Sequence, residues 1–68
     1  MIRITITSIK VDSSFAEEHT GFVVGDTAYY VIRDSGARLS DYYFYEHDAA
    51  IYAWELVVKY GLTLVEPW

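Results

Sequence analysis

Two histidines, each next to carboxylates, are the side chains of this sequence best suited to proton transfer or metal binding. His19 follows two glutamates, and His47 lies between Glu46 and Asp48. Adjacent residues point in different directions, and neither histidine has a second histidine four positions away, as a zinc-binding helix would require. We therefore predict no metal and no cofactor, with both histidines in a solvated loop or a helix cap.

No serine or glycine of the chain lies in a recognisable catalytic motif. There is no Gly-x-Ser-x-Gly sequence, and the four glycines are spread along the chain rather than gathered in a loop that would cradle phosphate. Cysteine is absent, which excludes a disulfide framework and a cysteine-based zinc site. A domain of 68 residues also has little room for a catalytic pocket. The sequence therefore predicts a protein that is not an enzyme.

The composition predicts one folded, acidic domain over residues 1–68. Hydrophobic residues make up 53% of the chain and aromatic residues 18%, which argues against disorder. Ten acidic residues against five basic ones give a net charge of −5, so direct binding to a nucleic-acid backbone is not expected. A protein partner with a basic surface fits this charge better.

The first ten residues favour a strand over a targeting segment. Isoleucine alternates with arginine or threonine there, without the apolar core of a signal peptide. No apolar run is long enough to span a bilayer. We expect no membrane association and a cytoplasmic location in the producing or infected cell.

The elements that position the charged and aromatic residues are read from periodicity and turn signals. Ile2, Ile4 and Ile6 alternate with polar residues as in a strand, and a bulge or strand end near Ser8 would absorb the slip that follows. Residues 12–20 are expected to form a connection with one helical turn, capped by Ser13 or Ser14. β-rich runs follow on both sides of a turn at Gly25-Asp26. A strand is expected over about 38–44, and a short last strand over 62–65, ended by Pro67.

A helix follows the aromatic run that starts at Tyr42. Tyr45 is an unusual cap, so Asp48 is the expected N-cap, and Gly61 is a natural residue to end the helix. At about 100° per residue, one apolar stripe has the spacing of a core face. Its members are Ala49, Tyr52, Ala53, Leu56, Val57 and Tyr60. The predicted fold class is α+β: an antiparallel sheet of three to four strands, with one helix packed on one face and a short C-terminal strand.

A second apolar set, Ile51, Trp54 and Val58, lies on the opposite side of this helix. Such a patch usually marks a contact site, and tryptophan is the residue type most enriched at binding hot spots. One alternative is that Trp54 itself faces the core or is covered by the chain ends. We predict a partner-binding surface made of these three residues together with the acidic Asp41, Glu46 and Asp48.

Acidic residues interleaved with aromatic ones can present carboxylates at phosphate-like positions. In size, acidity, lack of cysteine and absence of motif, the chain is similar to the small phage-encoded inhibitors of CRISPR effector complexes. The resemblance implies a non-enzymatic protein that occupies the nucleic-acid-binding surface of a basic partner. The alternative is a homodimeric structural or interaction domain that pairs through the Trp54 face.

Overall fold

The computed structural model describes residues 2–65, which form three strands and two helices. Pro67, predicted to end the last strand, lies outside the described residues. In chain order the elements are β1 (Arg3–Lys10), α1 (Ser13–Glu18), β2 (Thr27–Arg33), α2 (Glu46–Tyr60) and β3 (Thr63–Leu64). The predicted α+β class is confirmed, and so is the short last strand. Within residues 2–65, no helix is long and apolar enough to cross a membrane.

The sheet is mixed, with the order β2-β1-β3, whereas the sequence predicted an antiparallel one. β1 pairs with β2 in antiparallel register from Ile4 opposite Arg33 to Lys10 opposite Thr27. β3 pairs with β1 in parallel, with Leu64 beside Ile4. The parallel pair arises because α2 carries the chain back along the sheet before β3 begins. The central strand is therefore β1.

The predicted interruption at Ser8 is wrong, because β1 continues in one register past this residue. Ser8 lies opposite Tyr29 and Ile9 opposite Ala28, without a bulge. Ile9 thus falls on the other face of the sheet from Ile4 and stays partly exposed. The apolar residues of β1 therefore shift from one face of the sheet to the other, and each face has a small core of its own.

The larger core lies between the sheet and α2, and the smaller one covers the opposite face near α1. Ile4, Ile6 and Val31 contact the buried side of α2 in the first. Val11, Phe22 and Ala28 form the second, with Phe15 and Tyr42 packed against them. Since Ala28 and Val31 lie an odd number of residues apart on β2, they point to opposite faces. Both faces of this small sheet are therefore used for packing.

Residues 37–43 run alongside β2 without becoming the predicted strand. They make only isolated bridges, Tyr29 to Tyr43 and Ile32 to Arg38. Between these bridges the buried Ser40 hydroxyl accepts a hydrogen bond from the backbone N–H of Val31 at 2.8 Å. A side-chain oxygen here replaces a backbone carbonyl of a regular ladder, which is how serine competes with strand pairing.

Two other local predictions are corrected around α1. Asp12, rather than a serine, caps α1, since its side chain accepts a hydrogen bond from the Phe15 N–H at 2.8 Å. Gly25-Asp26 does form a turn, but the run before it is irregular rather than a strand. The turn is tied to the end of β1 by a hydrogen bond from the Gly25 N–H to the Val11 carbonyl.

α2 begins after Tyr45 and ends at Tyr60, with Gly61 as its C-cap. The N-cap is Tyr45, which is extended and makes no side-chain capping bond. Asp48 was predicted to be the cap, but it lies inside the first turn of the helix. Glu46 and Asp48 complement the positive end of the helix dipole, which offsets part of the missing cap. The prediction of Gly61 as the C-terminal residue is confirmed: it is left-handed with φ 68°, and its N–H bonds to the Val57 carbonyl at 2.9 Å.

Replacing Gly61 by alanine is expected to lower the free energy of unfolding by about 1–2 kcal/mol. A Cβ at this position would meet no atom within 4 Å, so the loss comes from the left-handed backbone alone. Gly61→Asn should lose less, because asparagine tolerates this conformation better. Urea unfolding of the three proteins measures the difference, and an alanine variant as stable as the parent would contradict it.

Candidate interaction surface

The buried side of α2 corresponds to the stripe predicted from the sequence. Ala49, Ala53 and Leu56 are buried against the sheet. Tyr52 and Val57 are partly buried beside them, whereas Tyr60 lies in solvent near the end of the helix. The alanines matter because their small side chains let the helix axis approach the sheet closely.

The opposite side of α2 leaves three large apolar side chains in solvent. Ile51 is 49% exposed, Trp54 56% and Val58 83%. The alternative in which Trp54 faces the core is therefore wrong, since Leu56 occupies that position. His47 is exposed on the same side one turn before Ile51. We refer to His47, Ile51, Trp54 and Val58 as the outer stripe.

The outer stripe contains a shallow, open depression. It is lined by Ile51, Trp54 and Val58, with Glu55 and Lys59 at its rim. Glu55 and Lys59 stand four residues apart in the order that favours attraction along a helix. The depression thus combines an apolar floor with charged groups on one side.

Three carboxylates lie towards the side of α2 that carries Tyr52. Asp48 and Glu55 are there by helical spacing, and Asp41 lines a depression together with Tyr43 and Tyr52. Burial raises the pKa of Tyr43 above its ordinary value, and the hydroxyl of Tyr52 and the charges of Asp41, Glu55 and Asp48 raise it further. We refer to Asp41, Asp48 and Glu55 as the acidic strip.

The fold brings Asp41 to α2 through the irregular segment 37–43. The Tyr52 hydroxyl donates a hydrogen bond to the Leu39 carbonyl at 3.4 Å, and its ring lies 6.4 Å from that of Tyr43. The Ser40 hydroxyl, anchored to β2, donates to the Asp41 carbonyl at 2.9 Å. These bonds hold the segment that carries Asp41 against Tyr52 and Tyr43.

Of the charged residues predicted for the surface, Asp41 and Asp48 come together and Glu46 does not join them. Glu46 and Asp48 are two residues apart, which places them about 200° apart around the helix. Glu55, by contrast, was not predicted for the surface. Its position seven residues after Asp48, two helical turns further along the same side, is a signal that could have indicated it.

The two histidines occupy different environments. His47 is exposed in the first turn of α2. His19 is the C-cap of α1 and is partly buried, with its ring 4.3 Å from that of Phe15 and 4.8 Å from that of Tyr42. Within residues 2–65, no group of three or more histidine and carboxylate side chains is arranged to hold a metal ion.

Exposed apolar residues also occur beside the smaller core. Phe44 stacks on Phe22 with ring centroids 4.2 Å apart, and Val23, Val24 and Tyr45 are largely in solvent nearby in the chain. None of these residues lies in the acidic strip. They are matched positions for control substitutions, because they are exposed and apolar but lie outside the outer stripe.

Neutralising the acidic strip is expected to lower the pKa of Tyr43. Asp41→Asn, Asp48→Asn and Glu55→Gln each remove a negative charge that disfavours the tyrosinate. Glu17→Gln, in α1, is the control with the same charge change, and should leave this pKa where it was. NMR titration of ring-labelled tyrosine measures each value. Equal shifts in all four variants would contradict the gathering of these carboxylates around Tyr43.

No protein-family model matches this chain, and neither a curated protein nor a solved structure shows significant similarity to it. The class that fold and surface define is a small α+β domain carrying an exposed apolar helix stripe bordered by carboxylates. Function must therefore be inferred from the chemistry of that surface.

Proposed function

We propose that this protein is a non-enzymatic binding module that inhibits a basic, nucleic-acid-handling protein by occupying its nucleic-acid-binding surface. The observation that carries the proposal is the outer stripe, which places Ile51, Trp54 and Val58 in solvent, with Asp48 and Glu55 on one side of it. An exposed apolar patch costs solubility unless a partner covers it, and an excess of carboxylates at its border favours a partner of the opposite charge.

The electrostatics of the chain support a basic partner. The net charge of −5 would speed encounter with a positively charged surface. Carboxylates held on a folded scaffold can take the place of phosphate oxygens in a site lined by arginine and lysine. A CRISPR effector complex is one protein of this kind, and it is the first candidate to test because of the resemblance in size and composition.

A homodimer through the outer stripe is the rival hypothesis, favoured by the self-complementary character of any apolar helix face. Its difficulty is electrostatic, because two acidic strips would meet at the same interface. Sedimentation velocity separates the hypotheses. A monomer at all concentrations supports the heterotypic interaction, whereas a tight dimer that Trp54→Asp makes monomeric would overturn it.

Affinity capture from host lysate tests the proposal. The immobilised protein is expected to retain a basic nucleic-acid-binding protein at low salt and to release much of it at high salt, because salt screens exposed charge pairs. The captured protein is then purified and titrated with its nucleic acid, which should compete with this chain for binding.

The charge requirement is tested with two variants of equal net charge. Asp48→Asn with Glu55→Gln should weaken capture about tenfold, because both carboxylates border the outer stripe. Glu17→Gln with Glu18→Gln removes the same charge from α1 and should weaken it much less. Equal weakening by both pairs, or nucleic-acid binding unaffected by this protein, would contradict the proposal.

A further inference from the structure

The depression on α2 has the outline of a packing site for another helix. It is lined by Ile51, Trp54, Glu55, Val58 and Lys59, and the first four of these residues stand at positions i, i+3, i+4 and i+7. Four residues with this spacing form the hole that receives one side chain of a facing helix in knobs-into-holes packing. Nothing in residues 2–65 fills the hole, since its three apolar members are about half exposed or more.

The outer stripe has the spacing of a helix–helix seam over its whole length. His47, Ile51, Trp54 and Val58 follow one another at intervals of four, three and four residues. This alternation keeps a narrow stripe almost parallel to the helix axis, over about 16 Å. An extended strand, with its period of two, would match only part of such a stripe.

Resting on the proposed function, we propose that the basic partner docks an amphipathic α-helix of its own along the outer stripe, antiparallel to α2. One large apolar side chain of that helix enters the hole between Ile51, Trp54, Glu55 and Val58. Lysine or arginine residues seven apart follow the flank of the partner helix that faces Asp48 and Glu55.

Charge along α2 determines which flank and which direction the partner helix takes. Asp48, Glu55 and Lys59 lie on one side of the stripe. On the other side Ala50 and Val57 carry no charge and pack towards the core, and Glu46 adds one carboxylate in the first turn. Basic residues are therefore required mainly on the flank of the partner that meets Asp48 and Glu55. An antiparallel partner helix places the negative C-terminal end of its dipole beside the positive N-terminal end of α2. Its positive N-terminal end then lies beside the last turn of α2, so opposite dipole ends are neighbours, which is the favourable arrangement.

A second copy of this chain meets these requirements poorly. In an antiparallel pair of identical helices, the side that carries Asp48, Glu55 and Lys59 would meet the same side of the other copy. Two carboxylates against one ammonium group leave this side negative in both copies, which opposes association. A different chain with a basic flank removes the conflict.

Selection from a displayed library of random peptides, each long enough for about five helical turns, tests the inference. Peptides that bind the parent protein, after removal of those that also bind Trp54→Asp, should be enriched in apolar residues at helical spacing with lysine or arginine on one flank. Their circular dichroism should become helical on binding. A Glu55→Lys variant should lose these peptides at least tenfold in affinity.

The outcomes separate this inference from the proposed function. Selected peptides that are extended, lack basic residues or bind elsewhere, or a selection that yields no Trp54-dependent peptide, would overturn the partner helix. Capture of a basic protein that competes with nucleic acid would still support the proposed function in that case. Conversely, helical basic peptides together with a captured protein whose nucleic-acid binding is unaffected would support the partner helix and contradict inhibition.

Discussion

Replacing Trp54 by aspartate is expected to weaken binding of the basic partner by about 30-fold or more, with the fold unchanged. Tryptophan at the centre of a contact surface commonly contributes about 2 kcal/mol or more, which corresponds to that factor. The side chain is more than half exposed, so its loss leaves no cavity in the core. Titration calorimetry with the captured protein measures binding, and circular dichroism with urea unfolding measures the fold.

Val24→Asp is the matched control for Trp54→Asp. It introduces the same carboxylate at an exposed apolar residue, but outside the outer stripe. We expect the control to bind the partner within about threefold of the parent, a difference smaller than 1 kcal/mol. Equal losses in the two variants would show that added negative charge, rather than the outer stripe, determines the result.

Replacing Ile4 by alanine is expected to remove most of the stability of the domain. Ile4 is 1% exposed at the centre of the larger core, where it meets the buried side of α2. Truncating a buried isoleucine to alanine costs about 2–5 kcal/mol. A single core in a domain of this size rarely supplies more than about 3–5 kcal/mol, so a substantial unfolded fraction follows at room temperature.

Ile51→Ala makes the same chemical change on the exposed side of α2. Surface substitutions usually change stability by less than about 0.5 kcal/mol, and alanine is the better helix former. Ile51→Ala should therefore keep its stability and lose partner binding. Urea unfolding of both variants compares the two isoleucines. Similar destabilisation of both would mean that the outer stripe is covered within the folded chain.

Periodicity was sufficient to predict the parts of the fold in which one face is buried. The alternation of Ile4 and Ile6 predicted the first strand, and the spacing of Ala49, Ala53 and Leu56 predicted the buried side of α2. These patterns are informative because a shift of one residue would expose the whole apolar set. The same spacing placed Trp54 on the side of α2 that faces away from the core.

Features that depend on single hydrogen bonds or on chain direction could not be predicted in this way. The Ser40 hydroxyl takes the place of a backbone partner for Val31, so a β-rich segment is not a strand. β3 is parallel to β1 because of the path of the chain through α2, which no local pattern encodes. Tyr45 precedes the helix without a side-chain cap, a position that local propensity disfavours.

The acidic strip shows the same limit for the candidate site. Asp41 and Asp48 are close in sequence, but Asp41 is held near α2 by the contact of Tyr52 with the segment that carries it. Glu55 joins them through the helical repeat, while Glu46, only two residues from Asp48, lies on another side of the helix. Proximity in sequence was therefore a poor guide to proximity on the surface.

Mapping the contact on the protein itself tests the proposed binding surface most directly. Amide chemical shifts of the labelled protein are recorded while the captured basic partner is added. We predict that the largest changes fall on the exposed side of residues 47–59 and at Asp41, and that they disappear with Trp54→Asp. Changes centred on Val23, Val24 and Phe44, with the outer stripe unaffected, would contradict the proposal.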